Sequence, residues 1–433
     1  MQLYSTNHQS PNVNLREALF KGLPDDNGLY MPTHIPQLPL SFFENIEKLS
    51  FQEIAFMVTK ALIGDEVPEG DIRSIVESTL TFDAPLVKVS ENIFSLELFH
   101  GPTFAFKDFG ARFMAALMSY YLSKSKEEVN ILVATSGDTG GAVAAGFYNM
   151  PGIKVTILYP KGKVSDIQEK QLTTLKGNIT ALEIEGTFDD CQKLVKQAFL
   201  DQELNKKVNL TSANSINISR LIPQSFYYFY AYSKLKEQGN ELVFSTPSGN
   251  FGNICGGLIA KRMGLPVNKF IASTNINDIF PQYLFSGIFS PRPSQRTISN
   301  AMDVGNPSNF ARIMDLYGKE LLEVKKDLEG MAFTDEETSE VIKLVYEKHN
   351  YMLDPHGAVG YLGLKKYLGD KKNLTGVFLG TAHPAKFLDV LDKDLASKVV
   401  IPQNLQIILK KEKSAVTIKA EFEDLKNFLI NNG

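Results

Sequence analysis

From about Pro85 onward, short runs rich in Val, Ile and Leu alternate with longer segments of helical periodicity. This alternation predicts strands joined by crossover helices, and hence parallel strands buried on both faces in an α/β fold. The first 85 or so residues instead mix short helical patterns, such as residues 42–62, with loops rich in Pro and Gly, and they predict an N-terminal accessory domain. The predicted strands are residues 130–134, 154–159, 242–245, 269–273 and 375–379.

A chain of 433 residues predicts two or three domains. No apolar stretch approaches the roughly 20 residues that a membrane helix needs, and the first 14 residues lack the pattern of a secretion signal. With 45 basic and 49 acidic residues, the chain has no overall charge for binding polyanions. We therefore expect a cytoplasmic protein with no membrane or nucleic-acid partner. We also expect Cys191 and Cys255 to be ordinary reduced residues.

The loop Thr135–Gly141 follows the predicted strand 130–134 and precedes a helical run of small residues. Glycines allow close approach of a ligand, and hydroxyls and free amides at a helix start suit a carboxylate or phosphate. The spacing matches neither the G-x-G-x-x-G dinucleotide pattern nor the loop of nucleoside-triphosphate enzymes. Taken alone, this loop is equally compatible with an anion site and with a tight structural turn.

A second loop of the same kind, Pro247–Asn253, follows the predicted strand 242–245 and precedes the helical run 254–263. Amides between Gly249 and Asn253 could point at a phosphate, whose charge the helix dipole would favour. A plain glycine turn is again the alternative. Because ligands of open α/β sheets bind beyond the carboxyl ends of the strands, a second such loop argues against either pattern arising by accident.

The third loop, Gly380–Lys386, follows the predicted strand 375–379. The Thr381 hydroxyl could meet a heteroaromatic nitrogen. For His383, the favoured interpretation is a buried ring satisfied by the backbone. The other five histidines show no H-E-x-x-H spacing and no acidic clustering, so we predict no metal site.

Lys107 lies in an unusual setting, among Phe104, Phe106, Phe109 and Phe113 at the start of a helical run. Partial desolvation would lower its pKa toward the free amine that nucleophilic catalysis needs. A lysine that extends its amine to solvent from a helix start is the common alternative. The two anion-binding loops favour the catalytic interpretation, because one could hold a cofactor phosphate and the other a substrate carboxylate.

Several runs of the chain resemble threonine synthases, a family of fold-type II enzymes that use pyridoxal 5'-phosphate. The resemblance spans nearly the whole chain and includes two N-terminal stretches, Tyr4–Asn7 and Gly28–Pro32. The other matching runs are Phe99–Phe113, Ala134–Gly146, Ser212–Leu221, Pro247–Asn253, Ser299–Asn306 and Gly380–Phe387.

This resemblance implies a fold similar to the β subunit of tryptophan synthase, with two open, mostly parallel sheets flanked by helices and an added N-terminal domain. It implies an N-terminal domain over residues 1–85 and a large cofactor-binding domain over residues 86–114 and 211–433. A small α/β domain would occupy residues 115–210.

The resemblance also implies a role for each matching residue. Lys107 would be the catalytic residue and carry pyridoxal phosphate as a Schiff base, and Thr381 would hydrogen-bond the pyridine nitrogen. Further cofactor contacts would come from Asp138, Ser248, Gly249, Asn250, Phe251, Gly252 and Asn253. Substrate contacts would come from Thr135, Ser136, Thr139, Asn214, Ser215 and Arg220.

Asp138 departs from many fold-type II relatives, which have asparagine in the equivalent loop. It would lie near the 3'-oxygen of the cofactor, and its protonation state is left open by the sequence.

The implied reaction converts O-phospho-L-homoserine and water into L-threonine and phosphate. One alternative is a threonine or serine dehydratase, which needs no pocket for a substrate phosphate and is disfavoured by the segment Asn214–Arg220. A second is a non-catalytic ligand-binding protein of the same fold, which we would expect to lack Lys107 or one of the anion loops.

Overall fold

The computed structural model describes residues 1–125 and 127–432. Within these residues the strands, numbered in chain order, are β1 (Gln2–Ser5), β2 (Val13–Asn14), β3 (Tyr30–Pro32), β4 (Leu86–Ser90), β5 (Ile93–Glu97), β6 (Val129–Ala134), β7 (Ile153–Pro160), β8 (Ile179–Glu185), β9 (Leu210–Thr211), β10 (Glu241–Pro247), β11 (Lys269–Thr274), β12 (Leu328–Ala332), β13 (Leu374–Gly380) and β14 (Val416–Lys419).

The α-helices of the same residues are α1 (Leu15–Lys21), α2 (Leu40–Asn45), α3 (Phe51–Ile63), α4 (Glu69–Thr79), α5 (Lys107–Leu122), α6 (Asp138–Phe147), α7 (Asp166–Thr173), α8 (Phe188–Leu200), α9 (Gln202–Lys207), α10 (Ile218–Leu221), α11 (Phe226–Leu235), α12 (Gly252–Arg262), α13 (Ile279–Ser286), α14 (Phe310–Leu316), α15 (Leu321–Asp327), α16 (Asp335–His349), α17 (Pro355–Leu368), α18 (Lys393–Lys398), α19 (Gln403–Leu409) and α20 (Phe422–Asn432).

A six-stranded sheet in the order β12-β11-β10-β13-β5-β4 forms the larger layer. Its neighbours pair in parallel except β4, which runs antiparallel to β5 at one edge. Every residue of β13 is buried, as is every residue of β10 after Glu241. Burial on both faces explains why these strands read as continuous apolar runs in the sequence.

A five-stranded sheet in the order β14-β8-β7-β6-β9 forms the smaller layer, and all of its pairs are parallel. The five strands predicted from the apolar runs are all present, with ends that coincide or differ by at most two residues. The predicted fold, two open and mostly parallel sheets with an N-terminal accessory domain, is confirmed.

The N-terminal residues form a small antiparallel sheet, β2-β1-β3, followed by α2 to α4. The predicted helical segment 42–62 is wrong as a single helix, because α2 ends at Asn45 and α3 begins at Phe51. Ser50 causes the new start. Its hydroxyl accepts a hydrogen bond from the Glu53 amide, and the Glu53 carboxylate accepts one from the Ser50 amide at 2.7 Å. This reciprocal capping box satisfies two amides of the new helix.

The C-terminal segment departs from the expected domain division. We expected residues 211–433 to belong to the large domain, but β14 pairs with β8 in the five-stranded sheet. Leu425 and Leu429 of α20 lie in the same apolar cluster as Cys191 and Leu194 of α8. The pairing of β14 with β8 is favoured because it helps to bury the outer face of the smaller sheet. Since the two strands are far apart in the chain, no local sequence pattern predicts this pairing. The other domain boundaries stay predictions.

Two helices place the ends of both sheets around one space. Helix α5 lies against α6, and Gly146 of α6 lies so close to Ala111 of α5 that an added Cβ would be 3.1 Å from the Ala111 carbonyl carbon. The start of α5 is held by the end of the larger sheet, because the Phe106 amide donates to the Thr381 carbonyl oxygen at 2.8 Å. Among the described residues, no helix is long and apolar enough to span a bilayer.

Candidate active site

A cavity opens where both sheets present the carboxyl ends of their strands. Its walls come from the loops after β10 and β13, from the first turns of α5 and α6, and from α10. Of the predicted site residues it gathers Lys107, Asp138, Ser215, Arg220, Gly249, Asn250, Phe251, Gly252, Asn253 and Thr381. Residues far apart in the chain therefore meet at the location where open α/β sheets bind ligands.

Lys107 is the first residue of α5 and lies in the wall of this cavity. Its amine is 4.6 Å from the centre of the Phe106 ring. Burial of the amine, reinforced by the charge of Arg220 and opposed by that of Asp138, lowers its pKa to about 8. Phe109 and Phe113 contribute less to the desolvation of Lys107 than expected. Both rings pack into the core, Phe109 against Tyr227 and Phe113 against Phe226. The lysine therefore loses its proton more readily than a solvated lysine does.

The loop after β10 presents backbone amides to the cavity. Phe251 adopts a left-handed conformation, with φ of 61°, and α12 starts at the next residue. Within residues 1–125 and 127–432, the amides of Gly249 to Asn253 have no protein acceptor. Free amides at the positive end of an eleven-residue helix form a site for a phosphate dianion.

Asn250 connects this loop to the predicted substrate pocket. Its side-chain amide donates to the Ser215 hydroxyl at 2.7 Å, and its side-chain oxygen accepts from the Ser308 amide at 2.6 Å. Asn309 donates to the Asn250 carbonyl oxygen at 2.9 Å. With its side chain occupied in this way, Asn250 holds the loop in place and leaves the ligand contacts to the backbone.

Arg220 is a buried cation without a counter-ion. Its guanidinium donates to the Ala213 carbonyl oxygen, but its Nε has no partner, and no carboxylate in the described part of the chain lies within ion-pair distance. Burial lowers its pKa to about 10, still far above neutrality, with Asp108 opposing the shift. The neighbouring Gln224 side-chain oxygen is also buried and has no hydrogen-bond partner among the residues that the structure describes. A buried arginine of this kind is suited to bind an anion.

Thr381 directly follows β13, is 5% exposed and lines the cavity. His383, two residues later, accepts a hydrogen bond from the Ala385 amide at 3.1 Å through Nδ1. Burial lowers the pKa of His383 to about 4, so the ring is neutral. This agrees with the favoured interpretation that the backbone satisfies His383.

The loop after β6 is bonded largely to itself. The Thr135 hydroxyl accepts hydrogen bonds from the amides of Gly137 and Gly140 at 3.0 and 2.9 Å. Gly137 has a φ of 145°, and an added Cβ would lie 2.4 Å from the amide nitrogen of Gln168. Of the loop residues proposed as ligands, only Asp138 is part of the cavity wall.

Five predicted residues do not line the cavity: Thr135, Ser136, Thr139, Asn214 and Ser248. The Ser248 hydroxyl donates to the Thr246 carbonyl oxygen at 2.9 Å, and the Asn214 amide donates to the Ala134 carbonyl oxygen at 3.3 Å. With Thr135, these residues hold the shape of loops whose other residues line the cavity. Ser136 and Thr139 are half-buried beside Asp138.

Asp138 is ionised. Its burial alone would raise the pKa of the carboxyl, but the charge and hydrogen bond of Lys386, at 2.6 Å, and the Gln168 amide, at 3.1 Å, hold that pKa below its ordinary value. The protonation state that the sequence leaves open is therefore decided by a second buried lysine.

Sequence reasoning missed three polar residues around the cavity, Lys386, Gln168 and His356. His356 lies in the wall, where its Nε2 accepts from the Ala301 amide at 3.1 Å while Nδ1 contacts the Asp354 carboxylate at 2.9 Å. Lys386 is the last residue of the loop Gly380–Lys386, which the sequence already marked as a candidate ligand-binding loop, so its position gave a signal that could have found it. His356 and Gln168 carry no such signal, because both lie on helices with ordinary patterns.

The described residues hold no group of three or more His, Cys, Asp or Glu side chains suited to a metal ion.

Three protein families match the chain. A family described as pyridoxal-phosphate dependent enzyme matches residues 79–379, which is more than half of the chain. The family described as threonine synthase N terminus matches residues 2–80, and the one described as threonine synthase, C-terminal, matches residues 357–429.

Individual proteins match over the same length. Threonine synthase of Escherichia coli K12 is 42% identical over 100% of both chains, and that of Haemophilus influenzae is 47% identical over 94% of both. The crystal structure of the Escherichia coli enzyme has a TM-score of 0.93 with full coverage of both chains. A structure of pyridoxal-phosphate-bound threonine synthase from Brucella melitensis has a TM-score of 0.92 at 35% identity, covering 100% of this chain and 99% of that one.

Proposed function

Because the chain belongs to the threonine synthase family of pyridoxal-phosphate-dependent enzymes, we propose that it converts O-phospho-L-homoserine and water into L-threonine and phosphate. The observation that carries this proposal is the second anion site of the cavity, formed by Arg220. A cofactor phosphate needs one such site. A phosphorylated substrate needs another, at a distance from the first.

The residues of the cavity fit pyridoxal phosphate. The free amides of Gly249 to Asn253, at the start of α12, would hold its phosphate, and the Lys107 amine would hold its aldehyde carbon. The Thr381 hydroxyl would face the pyridine nitrogen, and the Asp138 carboxylate would lie near the 3'-oxygen. When bound, this cofactor delocalises the negative charge that forms on the substrate carbon when its proton is removed.

Lys107 would act as the base at Cα of the substrate. An amine with a pKa of about 8 is partly neutral at physiological pH, so it can accept a proton and later return it. Burial is the main cause that lowers the pKa of Lys107; the charge of Arg220 adds to this effect, and the charge of Asp138 works against it. A base of intermediate strength suits a reaction in which the same residue removes and restores protons.

Arg220 would bind the substrate phosphate and stabilise it as it leaves Cγ, with Ser215 beside it. Ser136 and Thr139 would contact the substrate carboxylate or phosphate, supported by their position next to Asp138. Thr381 is uncharged, and a neutral hydroxyl at the ring nitrogen would limit how far that ring withdraws electrons. Over the whole reaction the Cγ–O bond breaks, Cγ becomes a methyl group, and water supplies the hydroxyl on Cβ.

The proposal is tested with purified holoenzyme and O-phospho-L-homoserine, following phosphate by colorimetry and threonine by chromatography. We expect the two products in equal amounts. The Lys107→Ala variant should release neither, and it should also lack the visible absorption band that borohydride abolishes in the wild-type protein.

A dehydratase would give a different result in the same experiment. Formation of an oxoacid from threonine, with no phosphate released from O-phospho-L-homoserine, would overturn the proposal. So would the absence of both activities in protein that carries the cofactor.

We place this reaction in the cytoplasm as part of the proposal. Cys191 and Cys255 are buried and unpaired, as expected of a chain that folds in a reducing compartment.

A further inference from the structure

A buried ion pair joins the two sheets across the cavity. Lys386 lies in the short turn Pro384–Phe387 after β13 of the larger sheet, and Asp138 begins α6 after β6 of the smaller one. The Lys386 amine is 2.6 Å from an oxygen of Asp138, and the exposed fractions of the two side chains are 0% and 7%. A second hydrogen bond of this amine, to the Thr103 carbonyl oxygen at 3.0 Å, fixes its position.

Asp138 faces ionisable groups from several elements. Lys386 bonds it from the β13 side, Lys107 faces it from the start of α5, and His356 faces it from α17. The neutral amide of Gln168, on α7, bonds the same carboxylate oxygen as Lys386 does. Of these partners, only Lys386 contacts the carboxylate as a cation within ion-pair distance in the described part of the chain.

Burial disfavours the charged form of the Asp138 carboxylate, and Lys386 provides the largest interaction that offsets this burial. Burial of an unpaired carboxylate favours the protonated form, whereas a cation at hydrogen-bond distance favours the ionised one. Lys107 is influenced by Asp138 and by Arg220, so a change in the charge of Asp138 would be felt at the amine that performs the chemistry.

We propose that Lys386 is a positioning residue that keeps the Asp138 carboxylate ionised and aimed at Lys107, so that a fixed negative charge sets the proton affinity of the Lys107 nitrogen. Lys386 does not touch the reacting atoms in this scheme and acts through Asp138. The inference rests on the proposed function, because it concerns the same cavity and the same cofactor.

A purely structural role is the competing explanation. An ion pair between two sheets could simply hold them together, and its loss would then lower stability without altering the charge at Lys107. The two explanations differ in what happens to the proton affinity of the Lys107 nitrogen, which the visible absorption of the bound cofactor reports.

The test is a pH titration of that absorption in holoenzyme from pH 6 to 10, without substrate. Lys386→Met should lower the midpoint by about half a pH unit or more, equivalent to roughly a threefold loss of proton affinity. The direction follows because Asp138 takes up a proton and its negative charge disappears. Asp138→Asn should move the midpoint the same way, and Lys386→Arg should restore it toward the wild-type value.

Unchanged or raised midpoints in Lys386→Met would overturn the inference. An unchanged midpoint with a lower unfolding temperature would indicate a structural clasp. A raised midpoint would mean that Asp138 stays ionised without Lys386. If the methionine variant does not fold, Lys386→Gln keeps a hydrogen-bond donor without charge and gives the same readout.

This experiment is independent of the proposed reaction. Wild-type protein that shows the visible band but releases no phosphate from O-phospho-L-homoserine would refute the proposed function, and the titrations of the variants would still decide the role of Lys386.

Discussion

The loops after β6 and β10 each carry glycines and polar residues between a buried strand and a helix, but they direct their hydrogen-bonding groups differently. After β6, the Thr135 hydroxyl accepts hydrogen bonds from the amides of Gly137 and Gly140, so two amides of the loop are already bonded within it. After β10, Asn250 bonds outward to Ser215 and Ser308, and the amides of the loop face the cavity. Two loops of similar composition therefore differ in which of their backbone amides are free to bind a ligand.

The first loop still contributes to the site, but through a side chain. It delivers the Asp138 carboxylate, which Lys386 holds in the ionised form. The β6 loop therefore presents a negative charge to the cavity, whereas the β10 loop presents amides that can bind a negatively charged group. The cavity between them can orient a molecule that has a phosphate at one end.

The largest effect should come from the cation opposite the β10 loop. Arg220→Met removes a buried charge that would bind the substrate phosphate, and we expect kcat/KM for O-phospho-L-homoserine to fall about 100-fold, or about 3 kcal/mol. The visible cofactor band should still form, which would show that the variant binds the cofactor. Ser136→Ala, in the β6 loop, is the matched comparison, and it should lower kcat/KM for the same substrate about tenfold or less. A larger loss in Ser136→Ala than in Arg220→Met would show that the β6 loop, rather than Arg220, makes the main contact with the substrate phosphate.

Gly137→Ala tests whether the β6 loop is mainly structural. A φ of 145° disfavours any residue with a Cβ, and an added Cβ would displace the side-chain amide of Gln168. We expect the free energy of unfolding to drop by about 2 kcal/mol, measured by denaturant titration. Stability equal to the wild type would show that the loop tolerates rearrangement.

Gly252→Ala makes the same change at the start of α12. An added Cβ would be 3.5 Å from Ser215, an ordinary contact, and the backbone there is not strained. The free energy of unfolding should therefore change by less than about 1 kcal/mol. Cofactor affinity should fall about tenfold, because the methyl group enters the phosphate site. The pair of alanine variants separates stability from binding, and equal effects on both properties in both variants would contradict the comparison.

The smallest effect concerns pH. Only the neutral Lys107 amine can capture the cofactor, and its pKa is about 8. Between pH 7.5 and 9, the rate at which cofactor-free protein gains the visible band should rise about fourfold and then level off. Stopped-flow absorbance measures this rate. A rate that keeps rising tenfold per unit to pH 10 would indicate an ordinary lysine pKa.

Much of the fold could be predicted because it depends on local patterns. Apolar runs mark the strands, and the ends of β6, β10 and β13 lie within two residues of the predicted ones. The boundary between α2 and α3 was missed although the capping signal at Ser50 is local. The placement of β14 could not be predicted, because its partner β8 lies more than 200 residues away in the chain.

The site follows the same division. Lys107, Thr381 and the loop of Gly249 to Asn253 are recognisable because each combines an unusual composition with a position after a strand or at a helix start. Gln168 and His356 sit within regular helices and become part of the site only through packing.

Lys107 and the two glycine loops were therefore determined by the sequence itself, since residue type and local position already specify an amine and two sets of amides at strand ends. Only the tertiary structure decided which amides are free, that Arg220 has no counter-ion among residues 1–125 and 127–432, and that Lys386 keeps Asp138 charged. The physical reason is that charge and hydrogen bonding in a buried site depend on the partners within a few ångströms, and those partners come from distant parts of the chain.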